Sequence, residues 1–491
     1  MATGDLGWID AAKQTDGTIL LTVDTMAYEM SEPGDVFTTR FPTAGRSVGT
    51  TNSKDIKYMD ITVYGSSAGL CCWEYRNNGT VYYRMADTSQ AGVIIDKATY
   101  DRYEALEVED GVDLQVSQDE QGRFRGSPAH LGSIDGIQSS QCDKGSQVTS
   151  CLFEKMCDDG SLQKGSHARL YRIEDNGDGT VTIVYKGNAS IVNYKSAKDA
   201  KFGACAPFRV GDRVYIYTSA GELVCDGIAK TATVDSGESK PATFNPDMKV
   251  PIFKVTVDKS ALVENYEAIL AKSDLNGDKP DTEGKVLVDN MSRSCNGFLF
   301  DNVLVQNIRT RGLLIKASDG VITNCTFRNC AKLAVAVIYE IYYGESGNSQ
   351  NIVIKNNLTD NVGYALTNNG LYVHYPINIS GLTGGSTDAG KILYYNINIT
   401  GNVFRNIHNE YYIYLQGVRD VTVKGNTFEG HAGGDTEDNY VRAVLLNGAV
   451  NVEISDNTYT EYVMYEELIG GDHYKNIFGT DADVVGFPDK E

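Results

Sequence analysis

Three segments near the end of the chain share one pattern: "NINITGNVFRN" (396–406), "DVTVKGNTFEG" (420–430) and "NVEISDNTYTE" (451–461). In each segment, alternating apolar residues are followed by an asparagine and, two positions after it, by another apolar residue. The asparagines Asn402, Asn426 and Asn457 are separated by 24 and 31 residues. A period in the twenties, with one strand–turn–strand unit per copy, is typical of a solenoid.

The same unit occurs earlier, in "GVITNCTFRNC" (320–330) and "NIVIKNNLTDN" (351–361). We therefore predict a right-handed parallel β-helix, in which each coil stacks about 4.8 Å from the last. Inward Val, Ile and Leu then form the core. The recurring asparagine suits a sharp corner, because Asn tolerates left-handed dihedral angles and can bond to its copies in adjacent coils. A β-sandwich with ordinary turn asparagines is the alternative, but sandwiches do not repeat this unit.

The middle of the chain follows a different pattern. "ARLYRIEDNGDGTVTIVYKG" (168–187) and "PFRVGDRVYIYTSAGELVCDG" (207–227) each resemble an antiparallel hairpin. We therefore predict an all-β chain with a β-helix over 1–164 and 286–491, interrupted by a small antiparallel β-barrel domain over 165–285. The "DNGDG" stretch (175–179) lacks the distal glutamate of a calcium loop, which favours a hairpin turn.

The charge of the chain limits its partners. Asp plus Glu total 65 against 44 Lys plus Arg, which gives a net charge of −21. Such a chain should repel nucleic acid and anionic membranes, so a neutral glycan fits better than a polyanion. No segment approaches a transmembrane helix, and the N-terminus lacks signal-peptide features. We expect a secreted or periplasmic protein if a signal was removed and a cytoplasmic one otherwise; a homodimer is left open.

Cysteine and histidine give no sign of metal chemistry. The ten cysteines include no CxxC pair, and the six histidines show no ligand spacing. Cys142, Cys151, Cys325 and Cys330 lie in apolar strand patterns, where a buried thiol behaves as a small hydrophobe. We therefore expect reduced, structural cysteines, no metal site and no cofactor.

Candidate catalytic carboxylates appear in "SCLFEKMCDDGSLQKG" (150–165), where Asp158 and Asp159 directly follow a predicted strand. Adjacent carboxylates repel each other, which can raise one pKa and keep a proton available. Asp135 precedes Asp159 by 24 residues, or about one coil. Side chains one coil apart can reach the separation of about 6.5–9.5 Å that an inverting glycosidase needs. The alternative is that "CDDG" only caps a turn.

A second acidic group lies in "KLAVAVIYEIYYGESG" (332–347), where tyrosines flank Glu340 and Glu345. Aromatic rings beside carboxylates are typical of sugar sites, because the CH groups of a pyranose pack on them. Arg311 lies one coil earlier and Arg46 in an earlier coil, and either could bind a sugar hydroxyl or a carboxylate.

Five segments together resemble glycoside hydrolase family 110, over about residues 45–460. They are "GRSVGTTNSKDIKYMDITVYGSSAG" (45–69), "IDGIQ" (134–138), "MCDDGSLQKG" (156–165), "RTRGLLIKASDGVITNCTFRN" (309–329) and "AVAVIYEIYYGESGNSQNIVIKNN" (334–357). Members are bacterial exo-α-1,3-galactosidases that act with inversion on blood-group-B-type and linear α-1,3-galactosyl glycans, and their fold is a β-helix with an inserted β-barrel.

The resemblance implies catalytic roles for Asp135, Asp158, Asp159 and Glu345, and substrate binding by Arg46, Arg311, Glu340 and Tyr343. The chain departs from the family at Gln138 and at "SLQKG" (161–165), where members usually have histidine, so a change of substrate is open. Two other classes remain: a non-catalytic glycan-binding or adhesin β-helix, and a polysaccharide lyase, which would need calcium and a basic catalytic residue.

Overall fold

The protein is described here from a computed structural model. Its described residues are 135–154, 156, 158–186, 208–242, 245–273, 275, 285–340, 345–346, 348–365, 374–381, 392–408, 411–429 and 442–459. Outside these ranges it describes the segments 8–15, 19–23, 46–50, 56–59, 62–63, 68–72, 93–96, 99–100, 117–118, 124–125 and 484–485.

The described elements before the insertion are all strands. They are β1 (Trp8–Lys13), β2 (Ile19–Val23), β3 (Arg46–Thr50), β4 (Ile56–Met59), β5 (Thr62–Val63), β6 (Ala68–Cys72), β7 (Val93–Asp96), β8 (Thr99–Tyr100), β9 (Ser117–Gln118), β10 (Phe124–Arg125), β11 (Asp135–Ser140), β12 (Gln147–Thr149), β13 (Leu152–Glu154) and β14 (Ser161–Asp175).

The next elements include the helices of the described chain. They are β15 (Thr180–Lys186), β16 (Arg213–Thr218), β17 (Leu223–Ile228), β18 (Thr231–Ala242), β19 (Asn245–Asp258), a 3₁₀ turn (Lys259–Ala261), α1 (Tyr266–Ala271), β20 (Val286–Asn290) and a 3₁₀ turn (Met291–Arg293).

The remaining described elements are strands. They are β21 (Leu299–Asp301), β22 (Leu304–Ile308), β23 (Arg311–Lys316), β24 (Gly320–Thr323), β25 (Thr326–Cys330), β26 (Leu333–Ile338), β27 (Glu345–Ser346), β28 (Gln350–Lys355), β29 (Leu358–Asp360), β30 (Ile377–Ser380), β31 (Tyr394–Thr400), β32 (Val403–Arg405), β33 (Tyr411–Lys424), β34 (Thr427–Phe428), β35 (Arg442–Ser455), β36 (Thr458–Tyr459) and β37 (Val484–Val485).

Three parallel sheets form the walls of a β-helix, which confirms the predicted fold. Sheet A stacks β3, β6, β11, the start of β14, β23, β26, β30, β33 and β35. Sheet B stacks β4, β7, β12, β21, β24, β28, β31 and the second halves of β33 and β35. Sheet C stacks β5, β8, β13, β22, β25, β29, β32, β34 and β36. Inward residues such as Ile137, Leu313 and Val335 form one continuous core.

The antiparallel insertion grows out of β14. Its residues Ser161–Lys164 pair with sheet A, and from Arg169 onward the same strand pairs antiparallel with β15. The antiparallel sheet runs β17–β16–β20–β14–β15–β19–β18 around its own apolar core, and parallel pairing resumes at β21. The junction therefore lies directly beside sheet A.

Stacked asparagines line one corner of the solenoid. The Nδ2 of Asn357, Asn402 and Asn426 each donates to the Oδ1 of the next asparagine at 3.0 Å, and the ladder ends at Asn457. The predicted bonding between copies is confirmed, but the predicted left-handed dihedral at these asparagines is wrong. The preceding residue takes that conformation instead, for example Gly401 with φ 65°. The ladder side chains can therefore point inward while the neighbouring backbone makes the turn.

Two smaller predictions are confirmed. "DNGDG" is a hairpin turn between β14 and β15, in which Asp178 accepts from the backbone N–H of Thr180 at 3.0 Å. Cys142, Cys151, Cys325 and Cys330 are buried, as their apolar strand patterns predict. Within the described ranges, no helix has the length and apolarity needed to cross a membrane.

Candidate active site

One corner of sheet A carries the candidate carboxylates. Asp135, Asp159 and Arg311 each precede a glycine, and the backbone N–H of Gly136 donates to the Asp159 carbonyl at 3.0 Å. The N–H of Gly160 donates in turn to the Arg311 carbonyl at 3.0 Å. A Cβ at Gly160 would lie 2.4 Å from the carbonyl oxygen of Gly312, so the coils approach here closely enough to require glycine. Residues 135, 159 and 311 therefore hold equivalent positions in three consecutive coils.

The adjacent aspartates share a single hydroxyl donor. Thr310 Oγ1 lies 3.2 Å from Asp158 Oδ1 and 3.3 Å from Asp159 Oδ1. These two carboxylate oxygens are therefore less than about 6.5 Å apart, which is closer than the separation of about 6.5–9.5 Å in an inverting pair. Asp159 is almost fully buried, whereas the side chain of Asp158 is 24% exposed. Only Asp158 of this pair has substantial access to solvent.

Arg311 joins the aspartate pair to the second acidic group. Its Nε and Nη2 donate to the two oxygens of Asp159 at 2.7 and 3.0 Å, a bidentate arrangement. Its Nη1 donates to Glu340 Oε1 at 3.0 Å. Lys316 then bridges Glu340 and Glu345, and Lys164 contacts the other oxygen of Glu345. Carboxylates and cations alternate along this series of contacts, which we call the ion-pair chain. Its members are Asp159, Arg311, Glu340, Lys316, Glu345 and Lys164.

The insertion helps to place Glu345. After β26, Glu340 pairs with Glu345 in an antiparallel bridge, so the chain folds back on itself. Glu345 then pairs with Ser166, and Ser346 with Gly165, on the strand that leads into the antiparallel domain. The ion-pair chain therefore lies where the solenoid and the insertion meet.

The carboxylates of the cluster differ sharply in acidity. Burial, together with the negative charges of Asp158 and Glu340, raises the pKa of Asp159 to about 7 despite the opposing effect of Arg311. Burial also acts to raise the pKa of Glu345, but Lys164 and Lys316 outweigh it and hold that pKa well below its usual range. Asp159 can therefore hold a proton near neutral pH, whereas Glu345 remains ionised.

The structure brings together Asp158, Asp159, Arg311, Glu340 and Glu345. Asp135 begins β11 and Arg46 begins β3, and both align with Ala68 of β6, so they belong to the same column of sheet A. Their side chains lie outside the described residues, as does all of Tyr343. In the described part of the chain, no three His, Cys, Asp or Glu residues are grouped to hold a metal ion.

Sequence reasoning missed Thr310, Lys164 and Lys316. A usable signal was present, because Lys164 and Lys316 each follow a column residue, Asp159 or Arg311, by five positions. Their Cα atoms are register partners in neighbouring coils. Residues that follow equivalent corner residues by the same number of positions are therefore expected to lie on the same face of the sheet.

Three sheets of stacked parallel strands define the chain as a parallel β-helix protein. It is similar to the catalytic domain of a GH87 α-1,3-glucanase in complex with nigerose, at 10% identity and a TM-score of 0.34, with 86% of this chain and 49% of that chain covered. The chain thus spans about half the length of that glucanase domain.

Two further similar structures have different activities. Endopolygalacturonase I from Stereum purpureum is 9% identical, with a TM-score of 0.26 and coverage of 84% of this chain and 78% of that one. A surface adhesin of Streptococcus pneumoniae is 8% identical, with a TM-score of 0.26 and 82% of each chain covered. No family model and no curated protein matches the sequence.

Proposed function

We propose that this chain is an exo-acting glycoside hydrolase that removes a terminal α-linked sugar, α-1,3-linked galactose or a relative of it, with inversion. The observation that carries the proposal is the pair Asp158 and Asp159. The two carboxylates share Thr310, yet one is partly exposed and the other is buried with a pKa of about 7. Adjacent carboxyl groups in unlike environments are the usual basis for acid and base roles.

Inversion requires one carboxyl group to protonate the leaving oxygen and another to activate water on the opposite side of the sugar. Asp158 is the member of the pair with access to a ligand. The buried Asp159 keeps a proton available to the pair near neutral pH. Asp135, one coil away in the same column, is the second carboxylate that we assign to the reaction.

Glu340 and Glu345 support the site rather than donate protons. Both oxygens of Glu345 are occupied by lysines, and its low pKa keeps it ionised. Glu340 orients Arg311, which fixes both oxygens of Asp159. The resemblance to family 110 supports substrate binding by Arg46, Arg311, Glu340 and Tyr343.

Asp158→Asn tests this proposal. We expect turnover of α-galactosides to fall at least about a hundredfold, because general acid–base groups contribute about 10²–10⁴-fold. The melting temperature should change little, since Asp158 is partly exposed. Assays of released reducing sugar on a panel of α-galactosides and α-N-acetylgalactosaminides provide the measurement. Asp226→Asn, which alters an exposed ion pair in the insertion, is the matched control.

Two results would reject parts of the proposal. Full activity of Asp158→Asn with a lowered melting temperature would show that the aspartate only caps a turn. NMR of the first product anomer tests stereochemistry, because initial release of the α-anomer from an α-linked substrate would mean retention.

One observation favours a non-catalytic glycan-binding β-helix as the second candidate. Each carboxylate of the ion-pair chain already has a cationic partner, which is also what a purely structural network requires. Binding of α-galactosyl glycans without release of monosaccharide, in the wild type and in Asp158→Asn alike, would favour this candidate over the hydrolase.

A further inference from the structure

Two side chains continue the corner of sheet A beyond the aspartate pair. The backbone N–H of Lys332 donates to the Thr310 carbonyl at 3.0 Å, which places Lys332 one coil further along. The N–H of Ala334 donates to the Pro376 carbonyl at 2.9 Å, and His374 lies two residues before Pro376. Lys332 and His374 thus follow Thr310 in successive coils, on the side away from Asp135.

Both side chains are half-buried, and neither is satisfied by the described part of the protein. Within the described ranges, no side-chain hydrogen bond or ion pair within contact distance involves Lys332 or His374. The cations of the ion-pair chain differ in this respect, because Arg311, Lys316 and Lys164 each contact a carboxylate. A desolvated cation without a contact partner is costly, unless a ligand supplies the partner.

The electrostatic surroundings of these two residues are positive. Burial lowers the pKa of Lys332, and Arg309 and Arg311 lower it further, while Asp158 and Asp159 oppose this less strongly. Burial, Lys332 and Arg311 lower the pKa of His374 to about 4. At neutral pH, His374 is therefore a neutral imidazole that can donate one hydrogen bond beside an ammonium group. An oxyanion would relieve both the positive potential and the missing contacts.

We propose that Lys332 and His374 form a subsite for the oxyanion of an acidic sugar residue, bound directly beside Asp158 and Asp159. The inference rests on the proposed glycan-hydrolase function and specifies its substrate class. The shared chemistry is a carboxylate, as at C6 of a uronic acid, or a sulfate ester. Lys332 supplies the charge, and His374 supplies a directional N–H. The net charge of −21 opposes a long polyanion, but one acidic group responds to the local field.

NMR titrations with D-galactose, D-galacturonate and D-galactose 6-sulfate test the subsite. We expect at least one acidic sugar to bind the wild type at least tenfold more tightly than galactose, because hydrogen bonds to charged groups are the stronger class. Whichever acidic sugar binds more tightly identifies the source of the oxyanion. Lys332→Gln should reduce this preference to within about twofold, and His374→Ala should weaken it less.

Lys272→Gln is the matched control, because Lys272 is an exposed lysine of the insertion, next to α1. It should leave the preference unchanged. Equal binding of the three sugars, no binding of any of them, or an unchanged preference in Lys332→Gln would overturn the proposal. If Lys332 served only to neutralise Asp158, the variant would shift the pH profile of hydrolysis without changing sugar preference, which also overturns it.

Hydrolysis of p-nitrophenyl α-galactoside and of its galacturonide analogue by the wild type distinguishes the hydrolase function from the oxyanion subsite. Selective binding without hydrolysis of either compound would remove the hydrolase proposal and leave the oxyanion subsite standing. Hydrolysis without a preference for acidic sugars in binding would support the hydrolase proposal and reject the oxyanion subsite.

Discussion

The asparagine ladder and the ion-pair chain solve the same problem in different ways. Both are columns of polar side chains, withdrawn from water, that link neighbouring coils. An amide carries a donor and an acceptor, so identical asparagines satisfy one another from Asn357 to Asn457. Charges of one sign cannot stack in this way, so the ion-pair chain alternates from Asp159 to Lys164.

The difference shows where the solenoid can hold chemistry. A column of copies is complete in itself and leaves no group with unusual acidity. An alternating column depends on the charge and burial of each member. It therefore contains one carboxylate with a raised pKa, Asp159, and another with a depressed pKa, Glu345. Catalytic side chains are therefore more readily placed in the ion-pair chain, whose members differ from coil to coil, than in the ladder of identical asparagines.

The largest effect is expected when the ion-pair chain loses its central cation. Lys316 is fully buried between Glu340 and Glu345. Lys316→Met leaves both carboxylates without that partner, and removal of one side of a buried ion pair costs about 3–5 kcal/mol. Urea unfolding measures the free energy. Lys424→Met, at an exposed pair with Asp456, should leave the unfolding free energy nearly unchanged. Similar losses in the two variants would contradict this account.

A smaller loss is expected when the ladder is interrupted. Asn402 is 1% exposed and bonds to Asn357 and Asn426. Asn402→Ala strands buried amide groups on both neighbours, at a cost of about 1–3 kcal/mol. The exposed Asn396 provides the control as Asn396→Gly, which keeps its left-handed dihedral available. Equal unfolding free energies for the two variants would show that the ladder is not what stabilises these coils.

The two columns should also differ in the pH dependence of their contributions to stability. The pKa of Asp159 rises on folding from 3.8 to about 7, so its contribution to stability is present below pH 4 and is lost as pH rises through 7. The contribution of Glu345 has the opposite pH dependence, because its pKa is depressed. That contribution is lost as the pH falls below the ordinary pKa range of a glutamate. For Asp159, one pKa unit corresponds to about 1.4 kcal/mol, so a shift of this size makes the pH dependence of stability large enough to measure.

Unfolding free energies measured at pH 5 and pH 8 check this sign. Asp159→Asn cannot titrate, so it should lose less stability than the wild type between the two values. Asn402→Ala should keep the wild-type pH dependence, because an amide column does not titrate. An unchanged slope in Asp159→Asn would show that the aspartate is ionised throughout this range.

Some residues of the candidate site could be predicted from the sequence and others could not. The 24-residue spacing of Asp135 and Asp159 predicted their places in consecutive coils, because backbone periodicity fixes register. The same reasoning grouped Glu340 and Glu345 with the aspartates only through aromatic neighbours and family resemblance. It did not reveal Lys164 or Lys316, because the sequence does not state which outward side chains are covered.

The sequence by itself determined the solenoid, the antiparallel insertion and the corner that carries Asp158 and Asp159. Those features follow from local rules, namely strand alternation, repeat length and turn residues, which act over a few tens of residues. The tertiary structure alone decided that Glu345 meets Lys164, a residue 181 positions away. It also decided which carboxylate is buried. Acidity depends on desolvation and on charges brought together across the insertion, and neither quantity is encoded by spacing along the chain.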